Sequence, residues 1–395
     1  GTWAQSIGQG WLVLTLTNSA LALGAVSALQ FTPMLLFGLW GGVVADRFPK
    51  RSILLVTQSC ALALALIFGI LNATHLITVW QIFLLAAALG AVNTVDMPTR
   101  QAFVSEMVNT QAHLGSAIAL NSSLFNAARV AGPALAGLLI GWLGVTPLFF
   151  LNAASFLAVI AALARMDLPR MSRRARIGTA FAQVGEGLRY VRRTPVVFVI
   201  MTMIGLIGIF GINFQVLIPL FARDVMHRGA SGYGFLMSAL GLGSLAGALL
   251  LAGAGRLPRL GRVVISALLF ALLQIAFVLA PTYSLSLILL AAVGFCMVFF
   301  TATANTIVQS TTPHELRGRV MSVYTTLFAG TTPIGSLIIG WLAHRYGPPT
   351  AMVVGALVSA IAAGYGVLCW WHLTHPKVSG SPTAPVASRR IALED

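Results

Sequence analysis

Charge is scarce in this chain, so an ionisable side chain inside an apolar run is informative. Two stand out: Asp96, near the end of the fourth apolar run, and Arg129, well inside the fifth. A charge at that depth is costly in hydrocarbon, so each should face protein or water and have a partner. A carboxylate whose surroundings change between two states can take up and release a proton. Asp96 is therefore the candidate proton carrier, with Arg100 and Arg129 as further coupling candidates. Asp96 is also the acid nearest to Arg129 in helix order, with Asn93, Asn126 and backbone carbonyls competing for the guanidinium. Asp46 and Asp224 complete the acids close enough to an apolar run to serve. Catalysis finds no support: the sequence has no paired carboxylates, no His-x-x-x-His and no phosphate-binding Gly-x-x-x-x-Gly-Lys-Ser/Thr. His75, His113, His227, His314 and His344 fall in or beside loops, and Cys60, Cys296 and Cys369 are isolated in apolar runs. The chain reads as a non-enzyme without metal or cofactor.

These charges must be held by elements that cross a bilayer. Of 395 residues, 58 % are hydrophobic and 8 % charged, with a mean hydropathy of +0.90. A soluble domain has about 25 % charged residues, so this chain could not cover a wet surface. Apolar runs of bilayer length fall at 1–17, 22–45, 52–72, 77–97, 114–143, 146–165, 196–221, 232–254, 262–280, 283–308, 319–342 and 350–372. The expected fold is an all-α polytopic membrane protein of twelve transmembrane helices in two six-helix bundles, 1–165 and 196–373. Residues 166–195 form a basic cytoplasmic linker, and 374–395 form a disordered tail rich in Pro, Ser and Gly. The first run is short, with no basic leader and no small-residue cleavage pattern, so it reads as an N-terminally incomplete first helix rather than a signal peptide.

Lys and Arg total 24 against 9 acids, a net +15. Counted by loop, 20 lie on one side, 3 on the other (Arg223, Arg228, Arg345), and Arg129 lies inside a run. By the positive-inside rule both termini and the linker are cytoplasmic. The excess is a membrane-surface signal, and nucleic acid is not an expected partner. Within the linker, Phe181, Val184, Leu188 and Val191 recur at helical spacing with Arg189, Arg192 and Arg193 off that face, as in a short amphipathic surface helix.

Polar side chains inside apolar runs mark either a wet cavity or helix–helix hydrogen bonds. The cavity candidates are Gln5, Gln9, Gln30, Asn93, Asn121, Asn126, Asn213, Gln215 and Asn305, with Phe31, Phe210 and Phe214, and also Trp3, as apolar walls. The two halves also echo each other. Leu-Leu-Ile-Gly-Trp-Leu at 138–143 recurs as Leu-Ile-Ile-Gly-Trp-Leu 199 positions later, and Ser122–Phe125 resembles Thr325–Phe328. A duplicated six-helix unit suits a transporter whose halves rock about a midplane site.

Four segments carry a resemblance. Gly41-Gly42-Val-Val-Ala-Asp46-Arg47-Phe-Pro-Lys50-Arg51 is similar to the loop signature of the major facilitator superfamily, with Val44 for Leu and Pro49 for Gly. Arg129-Val-Ala-Gly132-Pro133-Ala-Leu-Ala-Gly137-Leu-Leu-Ile-Gly141 resembles that superfamily's fifth-helix exporter motif, where proline bends and glycines pack the helix. Asp96-Met-Pro-Thr-Arg100-Gln-Ala-Phe and Pro313-His-Glu-Leu-Arg317-Gly-Arg319 resemble the drug and siderophore efflux branch that includes macrolide and enterobactin exporters. The resemblance implies a monomeric, proton-coupled exporter of an amphipathic small molecule in a bacterial inner membrane. It further implies a cytoplasmic latch of Gly42, Asp46, Arg47, Lys50 and Arg51 with Arg317 and Arg319. Import or uniport by the same fold is the alternative, and a membrane-embedded enzyme or lipid-handling protein fits less well.

Overall fold

The computed structural model describes residues 1–107, 111–166, 180–253 and 260–374, and all regular elements described are helical. In order they are α1 (Thr2–Thr17), α2 (Ala20–Arg47), α3 (Lys50–Ala73), α4 (Val79–Glu106), α5 (Gln111–Leu143), α6 (Thr146–Arg165), α7 (Ala180–Arg193), α8 (Pro195–Phe210), α9 (Phe214–Leu220), α10 (Ala230–Gly253), α11 (Leu260–Val278), α12 (Tyr283–Thr311), α13 (His314–Tyr346) and α14 (Pro348–Thr374). A turn of π-helix, Phe221–Val225, continues α9. The basic tether at 169–176 and the tail from 375 lie outside the described residues, as does the segment 254–259.

Eleven stretches are long and apolar enough to cross a membrane, with Pro195–Val225 counted as one. The 16-residue α1 is shorter and packs beside them on α5 and α6. Exposed tryptophans sit near the helix ends: Trp80, Trp142 and Trp341 toward one end of the bundle, Trp40 and Trp371 toward the other. Amphipathic rings favour such positions at membrane interfaces.

Two departures from the expected spans have local causes. The seventh run is broken at Gly211–Asn213, between α8 and α9. There Asn213 Nδ2 donates to the Ile209 carbonyl at 2.7 Å and Gln274 Nε2 to the Gly211 carbonyl at 3.0 Å, satisfying backbone that the break frees. The fourth helix continues past Asp96 through Pro98 to Glu106. Pro98 cannot donate to the Thr94 carbonyl, and that oxygen lies against Gly41 of α2, where a Cβ would overlap it. Pro133 likewise releases the Arg129 carbonyl, which lies against Gly241 of α10.

Helices α1–α6 pack among themselves, as do α8–α14, and the two groups meet mainly along α2–α13 and α5–α10. The two long seams are twins. α5 and α13 each have 33 residues, and each ends on a glycine with left-handed φ, Gly144 at +76° and Gly347 at +87°. Matched end to end, Gly137 corresponds to Gly340. Gly137 abuts Gly234, the fifth residue of α10, and Gly340 abuts Gly24, the fifth residue of α2. The repeated Leu-x-Ile-Gly-Trp-Leu segments are therefore displaced by one helical turn from the structural register. Gly141, expected to pack, has no described atom within 4 Å of where its Cβ would be.

Candidate transport cavity and charge cluster

Each seam covers about half of its helices. Along α2, contact with α13 persists to Leu35, which packs at Gly330; beyond it Leu36, Phe37 and Trp40 are exposed. Along α5, contact with α10 runs from Gly137 to Arg129, and Phe125, Leu124 and Leu120 before it are exposed. The bundle is thus a wedge, closed at the end that holds the α1–α2 turn and open at the end that holds the α2–α3 turn and α7.

A cavity of about 20 Å³, room for one water, lies at the tip of the wedge. Trp3, Gln9, Gln30, Gln215, Ser27 and Tyr233 are among its lining residues. Gln9 is 3 % exposed, and its Nε2 has no hydrogen-bond partner among the described residues. Trp11 stacks on Tyr233 with ring centroids 6.3 Å apart, which fixes the tyrosine from behind. Three of the expected amides thus reach the cavity. Gln5 does not, because it accepts from Asn152 Nδ2 at 2.6 Å and ties α1 to α6. Asn213 caps the helix break, and Phe214 is buried edge-on against Phe270. Asn305 accepts from Gln309 on its own helix at 2.5 Å. Asn121 is exposed, while Phe31, Asn93, Asn126 and Phe210 are half-buried outside the cavity lining. Ser27 and Tyr233 went unread in the sequence; both lie within apolar runs, where a hydroxyl was the available signal.

Asp96 is 4 % exposed and fully engaged. Its Oδ1 accepts from Thr57 Oγ1 at 2.7 Å and Gln58 Nε2 at 2.8 Å, and its Oδ2 from Arg100 Nη2 at 2.6 Å and Nε at 3.2 Å. The cluster joins α3 to α4 and satisfies a carboxylate that would otherwise be costly there. The pairing with Arg129 considered from the sequence is not the one formed. Arg100, one turn away on the same helix, reaches the carboxylate first. Adjacent polar residues Thr57-Gln58 in an apolar run were the overlooked signal. Arg129 instead lies over the ring of Trp3, at 5.9 Å from its centroid, and Trp3 meets Phe125 edge-on at 5.8 Å. Gly132 brings α5 onto the Trp3 backbone, since its Cβ would lie 2.8 Å from that of Trp3.

At the closed end Arg223, on the π-turn, bridges the two groups. Its Nη1 donates to Asn18 Oδ1 at 2.8 Å and to the Leu14 carbonyl at 3.1 Å, while Nε meets Asp224 at 2.5 Å. At the open end two of the expected latch residues make other contacts. Arg51 donates to the Leu163 and Ala164 carbonyls of α6, both at 2.8 Å, and Arg319 pairs with Glu186 of α7. Arg47 is exposed, and the Asp46 side chain lies outside the described residues. Gly42 is open, and its neighbour Gly41 makes the close contact with α4. α7 docks on α13 through Gly187, which sits on the Arg319 carbonyl, and Tyr190 donates to the Thr311 carbonyl at 3.1 Å. Leu188 stays exposed beside Arg189, Arg192 and Arg193, so the helix docks through Gly187, Tyr190 and Val191. Phe181 and Val184, expected on the apolar face, lie outside the described side chains.

Two helical groups wedged open about a polar tip define a multi-pass membrane transporter of the major facilitator type, not an enzyme. The family model described as a transmembrane secretion effector matches residues 1–382, and the chain belongs to this family. It is 28 % identical to the multidrug efflux pump Tap of Mycolicibacterium fortuitum, over 85 % of this chain and 84 % of that protein. It is 24 % identical to a staphyloferrin A transporter of Staphylococcus aureus (88 % and 87 % covered). With the enterobactin exporter EntS of Shigella flexneri it shares 26 % (89 % and 82 % covered). Among solved structures, the nucleoside transporter NupG superposes with a TM-score of 0.73 at 14 % identity, covering 93 % of this chain and 97 % of that one. A bacterial homologue of the lysosomal transporter Spinster, in an inward-facing and occupied conformation, gives 0.72 at 13 %, covering 93 % and 94 %. These two share the fold.

Proposed function

We propose that the chain exports an amphipathic small molecule by alternating access, driven by inward flow of protons, from a bacterial inner membrane in which both termini are cytoplasmic. The observation that carries this reading is the wedge, sealed by two glycine seams at one end and open at the other, with a polar cavity at its tip. Of the 15 Lys and Arg among the described residues, 11 lie toward the open end, so on the positive-inside rule it faces the cytoplasm. Substrate enters there, the seams part, and the open end closes. In that second state Gly42, Asp46, Arg47, Lys50 and Arg51 act as a latch against Arg317 and Arg319, and Arg319 must first leave Glu186. Export is supported by the Gly132-Pro133-x-x-x-Gly137 motif and by the efflux proteins to which the chain is similar.

Asp96 is the proposed proton carrier. A proton on its carboxyl has to displace a donor, and Arg100, with a side chain 51 % exposed, is the one free to swing away. The tip cavity, which holds no more than one water in this state and widens as the seams part, is the proposed substrate site, the protein acts as a monomer, and the residues 1–165 and 196–373 are the rocking bodies. The test is accumulation of a panel of amphipathic fluorophores in a host deleted for its own efflux pumps. Expression should lower accumulation of at least one fluorophore, and a protonophore should restore it. Raised accumulation on expression, or indifference to the protonophore, would rule out proton-driven export. Asp96→Asn should abolish the proton-driven component while leaving exchange of substrate across vesicles intact; full proton-driven transport in that variant removes Asp96 from the role.

A further inference from the structure

The tip of the wedge is rich in donors and poor in acids. Gln9 Nε2 is buried without a partner among the described residues, and Ser27, Gln30, Gln215 and Tyr233 share its cavity, whose lining includes no carboxylate. Trp3 belongs to the same lining and carries Arg129 over its ring. Arg129 is half-buried near the middle of α5, and among the described residues no acid stands against it. Asp96, the acid nearest in helix order, is filled by Thr57, Gln58 and Arg100. A cation over an aromatic face regains only part of what an ion loses on leaving water. A guanidinium held there without a counter-ion makes the surrounding potential positive and offers a planar fork to an oxyanion.

We propose that this site selects organic anions: amphipathic molecules whose carboxylate or ionised phenol pairs with Arg129 while an apolar or aromatic body lies against Trp3. A second, neutral acceptor on the same molecule meets Gln9, which is six residues further along α1 and so about 9 Å from Trp3. A cationic amphiphile meets Arg129 as a like charge and finds no acid in the cavity lining to offset it. The assignment rests on the tip cavity being the substrate site and narrows the chemistry of what it takes.

A matched probe series tests the charge preference directly. N-(2-naphthoyl)glycine is an anion, its glycinamide is neutral, and N-(2-aminoethyl)-2-naphthamide is a cation of similar size. Each is titrated calorimetrically into the full chain in lipid nanodiscs. The anion should bind at least about tenfold more tightly than either of the others, as one charge-assisted pair would give. Arg129→Gln should abolish that preference and leave affinity for the glycinamide unchanged, whereas Trp3→Ala should weaken all three. Equal affinities in the unaltered protein, tighter binding of the cation, or no binding of the anion overturns the proposal without any variant having to fold. A uniform loss of all three in Arg129→Gln also overturns it, because that would make Arg129 a packing residue. Failure of export appears separately, as absent outward movement in the accumulation assay, and leaves an anion preference in the titrations untouched.

Discussion

The two glycine seams match each other far better than do the halves behind them. Gly24 on Gly340 and Gly234 on Gly137 are the same contact in the same register, each between the fifth residue of one helix and a position one turn and a half from the end of a 33-residue partner. The crossings behind them match too: Gly90 lies against the Gln30 carbonyl of α2, and Gly294 against the Leu240 carbonyl of α10. Six residues after these glycines the likeness ends. The first half has Asp96, which accepts four hydrogen bonds, and the second has Phe300, 1 % exposed in an apolar core. Arg129 similarly corresponds to Thr332 when the long helices are matched end to end. Duplication has been kept where the halves must meet and lost where charge is handled.

The sharpest way to break this comparison is Phe300→Asp. A carboxylate there lacks the donors that serve Asp96, so the variant should lose about 3–5 kcal/mol, read as a collapse of thermal unfolding temperature and monodispersity in detergent. A variant as stable as the parent would mean that the second half hides an equivalent set of donors. Next come Gly24→Val and Gly234→Val, each of which places a side chain into the partner backbone. Each should cost about 2 kcal/mol by overpacking, and crosslinks between cysteines across the closed end should fall to the same degree in both. Unequal losses would show that one seam dominates, while Gly141→Ala, with open space around it, serves as the near-neutral control. The smallest effect belongs to Arg223→Ala, which removes the bridge to Leu14 and Asn18. It should weaken closure by about 1 kcal/mol, seen as faster labelling of a cysteine placed at the buried Ala20 beside that turn, without loss of fold.

Much of the helix order was legible because bilayer length imposes it: eleven of the twelve apolar runs reappear as stretches long enough to cross. Facing was not. Lipid is as apolar as a core, so Leu368 and Leu249, both above 60 % exposed, look in sequence like the buried Leu14 and Leu290. For that reason Gln5 could not be told from Gln9, nor Gly42 from Gly41, and an apparent repeat of six residues suggested a register one turn out. Asp96 and Arg129 were legible, because a charge in hydrocarbon requires an explanation; their partners were not, because Thr57 and Gln58 come from another helix.

The carbonyls released by Pro98 and Pro133 have a mechanical consequence. Each rests on a glycine of the neighbouring helix, Gly41 or Gly241, where the nearest side-chain atoms are single methyls of Thr94 and Val130. Knobs seated in holes resist sliding, whereas an oxygen on a bare Cα offers a smooth track with only weak C–H···O attraction. Such a contact acts as a plain bearing between α4 and α2, whereas between α5 and α10 the Ser238 hydroxyl, donating to the Val130 carbonyl at 2.8 Å, pins the slide.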